Sequence, residues 1–166
     1  MVEARPKYYT QPQTSSEIEV LSERDSRALG IATVHRGDVR LTSQVLAYLR
    51  RDELTHEVWD QHPLEMPRRQ LITQAVWLTI PDVLTAALDW GSLQLGAAAH
   101  AIEHTAIGLL PAFAPCDRWD IGGVSTALHP DTGVPTIFVH DGLAGGAGFA
   151  LSLIHISEPT RLLSIS

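Results

Sequence analysis

A chain of 166 residues, 45% of them hydrophobic, is long enough to bury one core or two small units that share one. Its net charge of −7 excludes a surface that coats nucleic acid by bulk positive charge, while leaving room for a locally basic groove. A single cysteine excludes an internal disulfide and a four-cysteine zinc site, and the longest apolar run, Ala106 to Ala114, is too short for a bilayer span and contains Pro111.

The N-terminus is polar and has no apolar core of a signal peptide, so the expected setting is cytoplasmic with no membrane partner. Residues 1–16 are rich in Pro, Thr, Ser and Gln without periodicity and read as an extended lead-in. From Glu17 the pattern is strand-like, with Ile18 and Val20 alternating with Glu17 and Glu19. Ser22 to Arg27 reads as a polar, turn-rich break. Leu29–Val34 and Val39–Leu49 then read as two strands joined at Arg36-Gly37-Asp38, where glycine beside aspartate suits a tight hairpin. Arg50-Arg51-Asp52-Glu53 forms a charged tip, and His56 to Trp59 a returning strand. Pro63 and Pro67 bracket an irregular connector before the clearest strand, Gln70 to Ile80, which is rich in β-branched residues and carries Trp77.

Pro81-Asp82 stops that strand and starts a helix over about 82–90, with Asp82 complementing the positive end of the helix dipole and Gly91 as its stop. Ser92 is expected to cap a longer helix over about 93–110. Leu95, Ala98, Ala99, Ile102, Ala106 and Leu109 give that helix a broad apolar stripe, and Pro111 ends it.

His100, Glu103 and His104 spell H-x-x-E-H within this helix, the inverted zincin pattern. Residues four apart share a helical face, so both imidazoles can grip one metal with Glu103 beside them as a base. Such a hydrolase also needs a third ligand, for which Asp117, Asp120 and His129 are the candidates. The competing reading is structural: His100, Glu103, His104, Asp117, Arg118 and Asp120 form a buried polar network that ties the helix to the turn Cys116–Gly123, where Gly122-Gly123 permits a tight bend. Cys116 reads as a buried thiol rather than a nucleophile. Val124–Leu128 and Val134–His140 read as a β-hairpin around His129–Gly133 (about 124–140), closed by Asp141-Gly142. Ala144 to Gly148, with Gly145 and Gly146, reads as a glycine-rich helix start whose amides suit phosphate, without the lysine of a P-loop.

Taken together, HAIEH, LLPAFAPCDRWDIGG, STALHPDTGVPTIFVHDG and GGAGFA resemble the C-terminal domain of unknown function of MrfA/YprA-type DEAD/DEAH-box helicases. YYTQPQ, GDVRLTSQVLAYLRR and QLITQAVWLTIP resemble the segment that precedes it. Cys116, Asp117, Arg118, Asp120, Gly122, Gly123, Asp141, Gly145 and Gly146 fall in these shared motifs. The resemblance implies an ATP-dependent, 3′-to-5′ superfamily 2 DNA helicase of DNA repair, with ATP, Mg and Zn as cofactors of the parent protein. Here it implies an accessory module that packs on the motor domains in cis and helps hold single-stranded DNA. Neither G-K-[ST] nor D-E-x-H occurs, so no ATPase activity, catalytic residue or cofactor is expected of this chain. The family's zinc-binding cysteine cluster is expected beyond Ala150, where residues 151–166 (LSLIHISEPTR onward) depart from the family and resemble translated sequencing-adapter sequence.

The expected fold class is therefore α+β. An extended lead-in (1–16) precedes an antiparallel β-rich subdomain (17–80), a helical and hairpin domain (81–150) and a non-native tail (151–166). Arg50, Arg51 and Arg118 are the candidate nucleic-acid contacts, and His100 with His104 the alternative metal pair.

Overall fold

The computed structural model describes residues 7–156, so Met1 to Pro6 of the lead-in and 157–166 of the tail lie outside the described residues. Within that range the chain is mostly antiparallel β with helices inserted. The elements are β1 (Tyr8–Leu29), β2 (Ala32–Asp52), β3 (Val58–Pro63), β4 (Arg69–Thr79), α1 (Asp82–Leu88), α2 (Ser92–Leu109), β5 (Ile121–Thr126), β6 (Thr136–Asp141) and α3 (Ser152–Ile156). Two compact units interleave along the sequence. Among the described residues, one comprises 7–17 and 42–70, the other 18–41 and 71–156.

In the first unit β3 pairs antiparallel with the end of β2, from Ala47 opposite Pro63 to Arg51 opposite Val58. The turn between them is organised by Asp52, whose Oδ1 accepts the N–H groups of Leu54 (2.8 Å) and Thr55 (2.9 Å). These two bonds favour the charged form and hold the Asp52 carboxyl below its ordinary value. Tyr8 packs on Trp59, with ring centroids 5.8 Å apart.

The second unit holds the sheet order β1-β2-β4-β6-β5. Successive side chains of a strand point to opposite faces, so each face builds its own cluster. On one face Trp77, Ala75 and Phe138 meet Ile18 and Val39. On the other Val139 and Ile121 meet Leu110 at the end of α2 and Ala150 beyond the hairpin.

The hairpin turn of β1 and β2 lies at Gly30 (φ 61°), not at Arg36-Gly37-Asp38. Ser22 to Arg27 continues β1 instead of breaking it, because its polar side chains find cross-strand partners. Arg24 bonds Asp38 at 2.8 Å, Ser22 donates to the same carboxylate, Arg36 pairs with Asp25 and Arg40 with Glu19. Arg24 keeps the Asp38 carboxyl low. Exposed pairs of this kind contribute little energy each, but a matched ladder specifies register.

Gly37 is buried within β2 because no side chain fits there: a Cβ would stand 1.8 Å from the Ser22 carbonyl oxygen. The α1 and α2 boundaries follow the sequence closely, with two differences in capping. Asp89, in the left-handed region (φ 50°), ends α1 in place of Gly91. Gly91 rather than Ser92 is the N-cap of α2, its N–H donating to Gln94 Oε1 at 2.8 Å. The apolar stripe of α2 is only partly covered: Ile102 and Leu109 stay exposed and line an apolar cavity of about 540 Å³ with Val34, Val76 and Leu78.

The two glycines give opposite predictions for substitution. Gly37→Ala should destabilise the fold by about 3 kcal/mol or more, the upper end of overpacking. Gly30→Ala, with open space around its Cβ but an unfavourable φ, should cost about 1–2 kcal/mol. Denaturant unfolding of both variants checks the ranking.

Candidate functional site

The site is built where α2 crosses the β5–β6 hairpin. Gly122 and Gly123 lie within β5, not at a bend, and face opposite ways. A Cβ on Gly123 would fall 2.5 Å from Glu103 Cγ, and one on Gly122 would fall 2.6 Å from the His140 ring. The glycine pair thus makes room for one charged or titratable side chain on each face of the sheet.

Glu103 is 6% exposed and points from α2 onto β5, where Ser125 Oγ donates to its Oε2 at 2.5 Å. His100 Nδ1 lies 3.3 Å from the same oxygen, and the Nε2 atoms of His100 and His104 stand 3.0 Å apart. Both imidazoles are solvent-exposed. The expected single buried network therefore divides. His100, Glu103, His104 and Ser125 form one group. In the other, Asp120 Oδ2 accepts the Asp117 N–H at 2.8 Å, capping a 3₁₀ turn over Arg118–Asp120. Cys116 packs against the Leu110 cluster, and burial, with Asp120, Asp117 and Asp141 nearby, pushes its thiol up in pKa, the wrong direction for a nucleophile.

The hydrolase reading finds no third ligand among its candidates. Asp117 and Asp120 cap their own turn. His129 is buried, with Nε2 3.0 Å from the Ile18 carbonyl oxygen and Nδ1 accepting the Asp131 N–H at 3.2 Å. With Asp131 Oδ2 accepting the Val20 N–H at 2.9 Å, the hairpin loop is fastened to β1.

Asp141 is fully buried and accepts three backbone N–H groups: Ala147 at 2.7 Å, Gly148 at 2.6 Å and Ala150 at 2.7 Å. Ala144 to Ala150 is thus a loop wrapped around an internal carboxylate, not a helix start open to phosphate. Gly145, Gly146 and Gly148 take positive φ there, and Gly146 leaves no space for a Cβ beside Gln74. The helix begins only at Ser152, and Leu153 packs on the Leu110 cluster.

Of the candidate basic contacts, Arg51 bonds Gln11 (2.6 Å) and the His56 carbonyl (2.8 Å), and Arg50 lies over the Tyr8 ring and 3.5 Å from Asp60. Arg118 is exposed. Its neighbour Trp119 is 90% exposed, a feature that sequence reasoning did not single out. The signal available was an aromatic inside a polar, acid-flanked turn with no apolar periodicity to bury it.

Comparison with known proteins places this geometry. The family model of the MrfA Zn-binding domain matches residues 102–164, and so overlaps the stretch from Leu151 that the sequence sets apart. Over 144 residues, 87% of this chain, the sequence is 29% identical to the ATP-dependent helicase YprA of Bacillus subtilis (strain 168), of which it spans 19%. The crystal structure of the DUF1998 helicase MrfA bound to DNA is similar over 92% of this chain and 20% of its own, with 27% identity and a TM-score of 0.67. A second, bound to DNA and AMPPNP, shares the fold at a TM-score of 0.53 and 24% identity, over 92% of this chain and 18% of its own. The chain is similar to the C-terminal part of MrfA-like helicases and spans about a fifth of the length of these relatives. Among the described residues no helix is long and apolar enough to cross a membrane.

The zinc implied by the family's description meets a donor set poor in sulfur. Cys116 is the only cysteine in the sequence, and the donor atoms of His129 and Asp141 are held by internal hydrogen bonds. Among the described residues only His100, Glu103 and His104 bring three donors together, all within 4.8 Å. They fit a histidine-held metal and not a cysteine-held one.

His140 generates a pH prediction. Burial lowers its pKa below 6.5, against smaller opposing contributions from the Asp141 carbonyl and the Asp141 and Glu103 charges. The unfolded chain then binds more protons than the folded one just below pH 6.5. Stability from this group should be complete above pH 6.5 and fall as pH drops through the folded value, by at most about 1.4 kcal/mol per pH unit. Thermal unfolding of wild type and His140→Gln across pH 5–8 should show a shallower acid slope in the variant. Separately, Asp141→Ala leaves three N–H groups without their acceptor and should cost about 3 kcal/mol or more in denaturant unfolding.

Proposed function

We propose that the chain is an accessory C-terminal module of an ATP-dependent superfamily 2 DNA helicase of DNA repair, acting in the cytoplasm by holding single-stranded DNA and packing on the motor domains. It is not itself an ATPase in this reading. The observation that carries the proposal is the likeness to DNA-bound MrfA across 92% of the chain. In this reading ATP and Mg belong to the motor domains, in keeping with a sequence in which neither G-K-[ST] nor D-E-x-H occurs.

In this reading the DNA-contacting role falls to fewer residues than the three basic candidates. Arg50 and Arg51 are engaged within their own unit, whereas Arg118 and Trp119 stand exposed side by side on a turn pinned by Asp117 and Asp120. A guanidinium meets phosphate, and an exposed indole stacks on an unpaired base without regard to sequence. The negative charge of −7 then limits contact to this local feature.

Fluorescence anisotropy with a single-stranded oligonucleotide should show salt-sensitive binding. Trp119→Ala should weaken it by about 1–3 kcal/mol, the range for loss of one stacked base. Arg118→Ala should weaken it and flatten the salt dependence. Binding unchanged in both variants removes these residues from the DNA-contacting role, and unwinding unchanged after deletion of the module from the parent helicase overturns the reading as a whole.

A further inference from the structure

We propose that His100 and His104 form a zinc site on the outer face of α2, with Glu103 acting as the positioning residue rather than as ligand or base. The proposal does not depend on the DNA-binding reading. Four observations meet here. The two imidazoles sit one turn apart on one helix, and their Nε2 atoms are 3.0 Å apart. Two nitrogens bound to one tetrahedral zinc at about 2.0–2.1 Å each stand roughly 3.3 Å apart, so little adjustment is required. His100 directs Nδ1 to Glu103 Oε2 at 3.3 Å, which leaves Nε2 as its donor toward metal. Glu103 is itself fixed by Ser125 and by the space above Gly123, so the carboxylate that orients His100 is held by the sheet.

A carboxylate behind a ligating imidazole sets its tautomer and raises its basicity, and its loss typically lowers metal affinity about 10–100-fold. Imidazole pairs suit zinc, copper and nickel, and zinc is the abundant redox-inert choice. Both rings are exposed, so the remaining coordination positions are open to water.

The full chain, freed of metal by chelator, is titrated with zinc against a chromophoric indicator. One equivalent should bind. His100→Ala and His104→Ala should each abolish competition with the indicator, Glu103→Gln should weaken it roughly 10–100-fold, and Cys116→Ser should leave it unchanged. Far-UV circular dichroism checks that the exposed alanine substitutions keep α2. X-ray absorption on the zinc-loaded wild-type chain needs no variant: imidazole nitrogen without sulfur in the zinc shell supports the site, whereas a thiolate shell overturns it. No zinc uptake, or affinity unchanged in His104→Ala, also overturns the site. Affinity unchanged in Glu103→Gln overturns the positioning role.

Discussion

The carboxylate of Asp141 is the constraint on which the second unit closes. A fully buried carboxylate is tolerated only where hydrogen bonds replace its hydration, and here three backbone N–H groups from one loop supply them. The exchange works in both directions, since the loop from Ala144 to Ala150 has no ladder partner for those N–H groups either. Asp141 is the last residue of β6, opposite Ile121 at the start of β5, and the next N–H, from Gly142, bonds the Asp120 carbonyl at 2.7 Å. One side chain therefore fixes where the hairpin ends, where the loop folds back and where Ala150 enters the apolar cluster with Leu110 and Val139.

The adjacent glycines extend that economy to the seat of α2. Side chains alternate along a strand, so two glycines in succession open one socket on each face. His140 fills one beneath Gly122, and Glu103 fills the other above Gly123. A helix held only by apolar packing is free to slide by small increments. One that inserts a carboxylate into a socket bounded by Ser125 is fixed in register, at the cost of desolvating that group. The exposed apolar residues of the same helix, Ile102 and Leu109, fit a seat that is set by one polar contact more than by a continuous hydrophobic seam.

Elements with strong local determinants were legible in the sequence. β4, with its β-branched run, and α1 and α2, with proline at their boundaries, lie within a residue or two of the positions that periodicity indicates. β1 and β2 were legible only in part: the strand from Glu17 and the strand Val39–Leu49 fall inside them, but the polar segments in between carry no hydrophobic alternation and their order depends on cross-strand partners. Asp38 reads as a turn residue in isolation, yet it binds Arg24 and Ser22 across the sheet. Gly37 beside it signals close backbone approach rather than a turn, and local sequence does not separate those two uses of glycine. The glycine cluster after Asp141 misled for a related reason: amides suited to an external phosphate serve an internal carboxylate six to nine residues upstream equally well.

The H-x-x-E-H pattern shows why spacing alone does not choose between binding and catalysis. In a metallohydrolase the glutamate must face the open side of the metal, where it can take a proton from bound water. Here Glu103 lies on the sheet side of α2: Oε2 accepts from Ser125 and faces His100, and Oε1 occupies the space over Gly123. A residue 6% exposed and bonded in this way turns its carboxylate to the sheet and to His100. What the same geometry does well is hold one imidazole in a single tautomer and orientation. The histidine pair is thereby linked through Glu103 to Ser125 of β5 and so to the hairpin that Asp141 closes.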